Sequence, residues 1–203
     1  MTDRVAAAVE RALDERQRGA TAEVERILAA AVRVMERVAP DEPRVSDIVA
    51  EAGSSNKAFY RYFAGKDDLI LAVMERGVGI VVSYLQHQMA KERQPRDKIA
   101  RWIEGTLAQV AEPDLIRKSR AAAGQMAAAT NWRTVDHAMM YPLRELLIEP
   151  VAALGSTDVE RDVEAVFCCT AATMRRYMDS AVRPEPDDIA HVVRFCLNGL
   201  GAN

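Results

Sequence analysis

Aromatic residues are scarce in this chain: four Phe, two Trp and five Tyr make up 5% of 203 residues. No alternating run rich in Val, Ile, Thr and Tyr stands out, so no strand is expected. Cysteine is scarcer still. Cys168, Cys169 and Cys196 have neither CxxC nor Cys/His spacing, and no metal site is expected. All three fall in apolar helical runs and read as buried, reduced thiols; a redox sensor is the other reading. The histidines, His87, His137 and His191, are scattered and make no HExxH pair. No Ser/His/Asp arrangement and no carboxylate-rich metal motif is visible, so no catalytic residue and no cofactor is nominated, and the chain is not read as an enzyme. No stretch approaches the roughly 18–20 uncharged apolar residues of a membrane span. The N-terminus interleaves acids and arginines, lacks an apolar h-region and is not a signal peptide. A cytoplasmic protein is expected.

Charge of one sign is also missing. The net charge is −3, residues 1–66 hold 11 Lys and Arg against 11 Asp and Glu, and residues 67–203 hold 16 against 19. A nucleic-acid partner would therefore have to be met by local groups, and Arg44, Lys57, Arg61 and Lys66 are the ones in question, with Arg16 and Arg18 ahead of them.

What is abundant is alanine within a 49% apolar composition, which suits packed helices. The pattern predicts an all-α chain of about nine helices. Residues 3–18 form a short leading helix or fray. A helix over 23–38 carries Ile27, Leu28, Ala31, Met35 and Val38 inward, and Pro40 and Pro43 break it. Lys66-Asp67-Asp68 opens a long helix, its acids at the positive end. Gly77 and Gly79 sit mid-span there and allow close packing or bending. Further helices follow around 99–110, 115–130, 132–154 and 158–181, and a regular stripe runs from Ile189 through Val192, Val193, Cys196 and Leu197 to Leu200. Pro142 should kink or split the helix over 132–154.

Residues 45–66 carry the chemistry. Val45, Ile48, Val49 and Ala52 form one apolar helical stripe. Gly53 stops that helix, and Ser54 or Ser55 can cap the next one. Phe59 and Phe63 then point inward, leaving Asn56, Lys57, Tyr60 and Arg61 outward. Two short helices about a Gly-containing turn make the helix-turn-helix pattern, whose second helix enters the DNA major groove.

These residues resemble the TetR family of bacterial regulators over about 25–74. The resemblance rests on Ile27-Leu28-Ala29-Ala30-Ala31, Asp47-Ile48-Val49, Ala52-Gly53-Ser54-Ser55, Tyr60-Arg61-Tyr62-Phe63 and Lys66. Three positions depart from the family pattern: Ser54 where an apolar residue packs, Arg44 where a Thr opens the helix, and Lys57 where Gly is common. The resemblance implies an N-terminal extension at 1–20, a three-helix DNA-binding domain at 21–67 and a ligand-binding and dimerisation domain at 68–203. It implies a homodimeric, ligand-responsive repressor on an inverted-repeat double-stranded operator, with ligand binding re-setting the long helix that opens at Lys66. The DNA-binding candidates are Arg44, Ser54, Ser55, Asn56, Lys57, Tyr60, Tyr62 and Lys66. Of these, Tyr60, Tyr62 and Lys66 would hold phosphates. Lys57 suits guanine and Asn56 adenine. The helices at 158–181 and 187–200 would join two copies. A largely apolar effector would meet Trp102, Met126, Trp132, Met139, Tyr141, Phe167 and Met174, with Met140 and Met178 nearby. Each of these also reads as plain core. An all-α small-molecule-binding protein or enzyme with an incidental helix-turn-helix is the alternative, and a protein–protein adaptor is another.

Overall fold

The computed structural model describes residues 4–128 and 132–201, and the side chains of all of these except 5, 122, 123, 126–128 and 132–137. The described residues form ten helices and no strand: α1 (Arg4–Val38), α2 (Val45–Glu51), α3 (Asn56–Tyr62), α4 (Lys66–Met89), α5 (Pro95–Ala111), α6 (Pro113–Ala128), α7 (Trp132–Glu145), α8 (Ile148–Ala153), α9 (Val159–Met178) and α10 (Pro186–Gly199). They group into two compact units, Met1–Val73 and Met74–Asn203, divided within α4.

In the first unit α1 is one helix of 35 residues rather than a short leading helix followed by a second. No proline interrupts residues 4–38, and a lone Gly19 disfavours a helix by only about 1 kcal/mol. Its C-terminal half buries Ile27, Leu28, Ala30, Ala31, Val34 and Met35. α2 packs on α1 and α3 on α2, and Ile48 and Val49 of α2, Phe59 of α3, Phe63, and Leu69, Ile70 and Val73 at the start of α4 are buried in the same unit. Phe59 and Phe63 lie with ring centroids 5.5 Å apart. Outside the core, Glu51 of α2 accepts from Arg33 Nε at 2.8 Å and from Arg37 Nη1 at 3.1 Å, fastening α2 to α1.

The second unit is built on α5. This helix buries Ile99, Trp102, Ile103, Gly105, Thr106, Leu107 and Val110, and packs with α6, α8, α9 and α10. Trp102 is fully enclosed; its indole Nε1 donates to the Leu143 carbonyl at 2.9 Å and its ring lies 6.2 Å from that of Phe167. At Gly105 the α4 side chains come so close that an added Cβ would sit 2.5 Å from Leu85 Cδ2 and 3.3 Å from Tyr84 Cε1. Close approach thus occurs at Gly105, while a Cβ at Gly77 or Gly79 would meet nothing within 4 Å.

The run expected as one helix over 132–154 is two. Pro142 is accommodated inside α7, and the interruption falls at residues 146–147, where Leu147 N–H bonds back to Arg144 O at 3.0 Å. Pro150 explains the position: it lacks an N–H and its ring crowds the carbonyl four residues earlier. Asp158 caps α9, accepting from the Arg161 N–H at 3.2 Å, after Gly155 turns the chain at φ +87°. At the other end of α9, Arg120 donates to the carbonyls of Tyr177 and Met178 at 3.1 and 3.0 Å, satisfying groups a helix end leaves open.

The cysteines divide. Cys196 is buried, and burial beside Cys169 pushes its thiol up to about 12; Cys169 is half-buried. Cys168 is exposed, contrary to the expectation of burial, because its turn of α9 faces solvent; its thiol donates to Glu164 at 3.2 Å. Among the described residues no helix is long and apolar enough to cross a membrane.

Candidate nucleic-acid interface

The turn between α2 and α3 is fixed by backbone bonding. Gly53 takes φ +59°, the left-handed region that a residue without Cβ enters freely. Its N–H bonds to Ala50 O at 3.1 Å, and the Ser54 N–H bonds to Val49 O at 3.0 Å. That pair is a Schellman C-cap, and it closes the open carbonyls of α2. Of the two serines able to cap α3, Ser55 does so, its Oγ accepting from the Ala58 N–H at 3.1 Å. Ser54 has another partner. It is half-buried and donates to Glu23 Oε1 of α1 at 3.3 Å. An apolar side chain at this place would give the hydrophobic contact that usually accompanies the turn; here a polar link to α1 replaces it.

With Ala58 and Phe59 anchored inward, Asn56, Lys57 and Tyr60 are exposed on the outer face of α3, Tyr60 at 62%. Its ring meets Phe59 edge to face at 5.1 Å, so its base is braced while its hydroxyl end projects. Arg44 is exposed at the extended residue that precedes α2.

The remaining candidates have partners. Tyr62 is half-buried and its hydroxyl donates to Glu23 Oε2 at 2.8 Å. Arg61 Nη2 donates to the same Glu23 oxygen and, at 2.8 Å, to the Tyr62 hydroxyl, with its guanidinium 4.6 Å from the Tyr62 ring centroid. The Tyr62 hydrogen bond, followed by the Arg61 charge and Ser54, holds the Glu23 carboxyl below its ordinary range against the opposing effect of partial burial. Lys66, at the start of α4, pairs with Glu42. The sequence reading did not nominate Glu23. It stands among interleaved charges on the leading helix, and only the third dimension brings it to Ser54, Arg61 and Tyr62.

Among the described side chains, the effector candidates lie in several places. Trp102 is in the α5 core; Phe167 and Met174 are half-buried on α9, as are Met140 and Met178; Tyr141 is half exposed. The side chains of Met126 and Trp132 lie outside the described residues. Met139 is buried and lines a cleft of about 260 Å³ with Val78, Gly79, Val82, Ala138 and Pro142, Glu75 at its edge. A second groove, of about 290 Å³, runs between α9 and α10 past Cys169, Thr173, Tyr177, Val192 and Phe195.

An all-helical chain whose first unit ends two short helices in this turn, with a polar and aromatic outer face, is a helix-turn-helix protein by class. Residues 27–73 match the family model described as bacterial regulatory proteins, tetR family. It is similar to the HTH-type transcriptional regulator YvdT of Bacillus subtilis (strain 168), 43% identical over 51 residues, which are 25% of this chain and 26% of that protein. The chain thus spans about a quarter of that curated relative. Two solved structures share the fold across most of both chains. The regulator FadR from Bacillus subtilis, in complex with stearoyl-CoA, has a TM-score of 0.65 at 16% identity and covers 87% of this chain and 96% of its own. A TetR-like transcriptional regulator from Rhodococcus sp. RHA1 has a TM-score of 0.61 at 23% identity, covering 89% and 97%.

Proposed function

We propose that the protein is a sequence-specific transcriptional regulator that binds an inverted-repeat operator as a homodimer and releases it on binding a small molecule. The observation that carries this is the Gly53 turn followed by the Ser55 cap, which presents Asn56, Lys57 and Tyr60 together on the free face of a short helix. Lys57 donates to guanine O6 or N7, and Asn56 pairs with adenine. Tyr60, Lys66 and Arg44 hold the backbone, as does Tyr62 once freed from Glu23. The test is selection of bound fragments from genomic DNA, followed by titration of the selected duplex. Lys57→Ala should relax the preference at one base pair per half-site by about 1–3 kcal/mol. An unchanged base profile would remove Lys57 from the readout, and failure of the wild-type protein to select any sequence would end the proposal.

Support for the dimer is the outer face of α9 and α10. Phe195 is 64% exposed there, beside the groove, and Ala165, Cys168 and Ala172 form a small-residue stripe on α9. Leu197, by contrast, is buried within the protomer. Phe195→Asp should therefore give helical monomers in light scattering, whereas Leu197→Asp should unfold the unit. A Phe195→Asp variant that stays dimeric places the interface elsewhere. For the effector, the cleft between α4 and α7 is apolar with one carboxylate at its edge, which suits an apolar molecule carrying a polar or cationic end. Coupling to DNA follows if the ligand prefers the conformation that DNA does not, and it must be reciprocal.

A further inference from the structure

We propose that Glu23 is a built-in competitor of the DNA backbone: in the free protein it occupies Arg61 and Tyr62, and so sets how strongly the first unit grips any duplex. This rests on the DNA-binding reading above. Three donors from the turn and from α3 converge on this one carboxylate: the Ser54 hydroxyl at 3.3 Å, the Tyr62 hydroxyl at 2.8 Å and the Arg61 guanidinium. A phenol has a single proton to give, and phosphate oxygens only accept. While Tyr62 donates to Glu23 it therefore cannot donate to a phosphate. Arg61 has donors to spare, since a guanidinium carries five N–H groups, but its charge already faces an anion. The carboxyl is held in its charged form by the groups that bind it. Each favourable approach of a phosphate to this end of α3 thus meets a carboxylate that has taken the place first.

The contact is a competitor and not a block. Arg61 is 60% exposed and the Glu23 side chain 22% exposed, so solvent screens the pair. A phosphate can displace it at small cost. Glu42 treats Lys66 in the same way. The two carboxylates lower the sequence-independent share of binding and leave base contacts, which they do not touch, to dominate. Glu23 is a positioning residue in this scheme, acting through Arg61 and Tyr62.

The test uses the full-length protein and a labelled random-sequence duplex of about 30 base pairs, titrated between 50 and 200 mM salt. Glu23→Gln keeps an acceptor for the Tyr62 hydroxyl and removes the charge. It should bind more tightly than wild type, with a salt slope steeper by about 0.9, the value of one further neutralised phosphate. The advantage over wild type should then shrink about 3-fold across that salt range. Arg61→Ala should change the wild-type slope little and should abolish the gain in the Glu23→Gln background. If Glu23→Gln fails to fold by circular dichroism, Glu23→Ala serves instead: it removes the same charge, should show the same tighter binding and steeper slope, and with an unchanged or shallower slope would overturn the proposal. A folded Glu23→Gln protein with an unchanged or shallower slope would overturn it too. Wild-type protein that binds no duplex at 50 mM salt would instead overturn the DNA-binding reading itself.

Discussion

The two units both tie helices together with ion pairs and differ in what those pairs involve. In Met1–Val73 Arg33 and Arg37 pair with Glu51, and Arg61 and Lys66, both candidates to meet DNA, pair with Glu23 and Glu42. In Met74–Asn203 Lys98 pairs with Glu149 and Arg144 with Glu164, while at α5 Trp102 fills the centre and Gly105 lets α4 approach. Salt and acid should therefore be felt at the candidate DNA face of the first unit, and changes of volume at α5 of the second. The difference suits their proposed tasks, since a surface that meets phosphates must have charges it can rearrange, whereas the centre of a helical cluster must hold its spacing.

The largest expected effect sets the two cores against each other. Phe59→Ala in the first unit and Trp102→Ala in the second each delete a fully buried ring and should each lose about 3–5 kcal/mol of stability in thermal or denaturant unfolding. Only Phe59→Ala should distort the face of α3. Equal losses would show that both cores are tightly packed, and a loss under about 1 kcal/mol in either would show a site that collapses around the missing ring.

Glycine sharpens the contrast at a smaller scale. Gly105→Ala places a Cβ against fully buried Leu85. Overpacking costs about 1–3 kcal/mol and outweighs the gain of about 1 kcal/mol in helix propensity. A net loss of up to about 2 kcal/mol is expected. Gly77→Ala, with open space around its Cβ, should instead raise stability by about 0.4–1 kcal/mol. If Gly105→Ala also stabilises, Leu85 has room to turn aside and the close approach is not a constraint.

The smallest effect is that of acid on the first unit. Glu23 and Glu51 both have folded-state values below the ordinary 4.5, Glu23 chiefly through Tyr62 and Glu51 chiefly through Arg33 and then Arg37. In the unfolded chain these groups bind protons at higher pH than in the folded one. Their contribution is thus complete above about 4.5 and is lost as pH falls through the lower folded values. Melting temperature measured from pH 6 down to about 3 should decline, and the decline should be shallower in Glu51→Gln. Parallel curves for the two proteins would remove Glu51 from the acid response.

Most of the first unit was legible in the sequence because its signals lie within a few residues of one another. The Ile48 and Val49 stripe, Gly53, the capping serine and the Phe59–Phe63 spacing are all local, and the structure realises each. The roles of Glu23 and Gly105 were not legible, because each depends on residues 20 or more positions away. The split between α7 and α8 failed for a different reason. Two prolines stood in one run, and the one that breaks the helix, Pro150, acts on the carbonyl four residues before it. In the second unit a stripe of large apolar residues reads the same whether it lines a cavity or fills a core. Trp102 fills one, and the exposure of Phe195 off the main α10 stripe gave no periodic signal.

The unbroken α1 has a geometric consequence. Thirty-five residues at 1.5 Å each make a rod of about 52 Å, and every residue along it is locked in rotational phase to Glu23. One residue inserted beside Gly19 would turn everything before it by about 100° around the axis and move it 1.5 Å outward, while leaving the helix-turn-helix untouched. Arg11, Arg16 and Arg18 would then point in new directions. The leading half of α1 thus behaves as a dial whose setting is counted in residues.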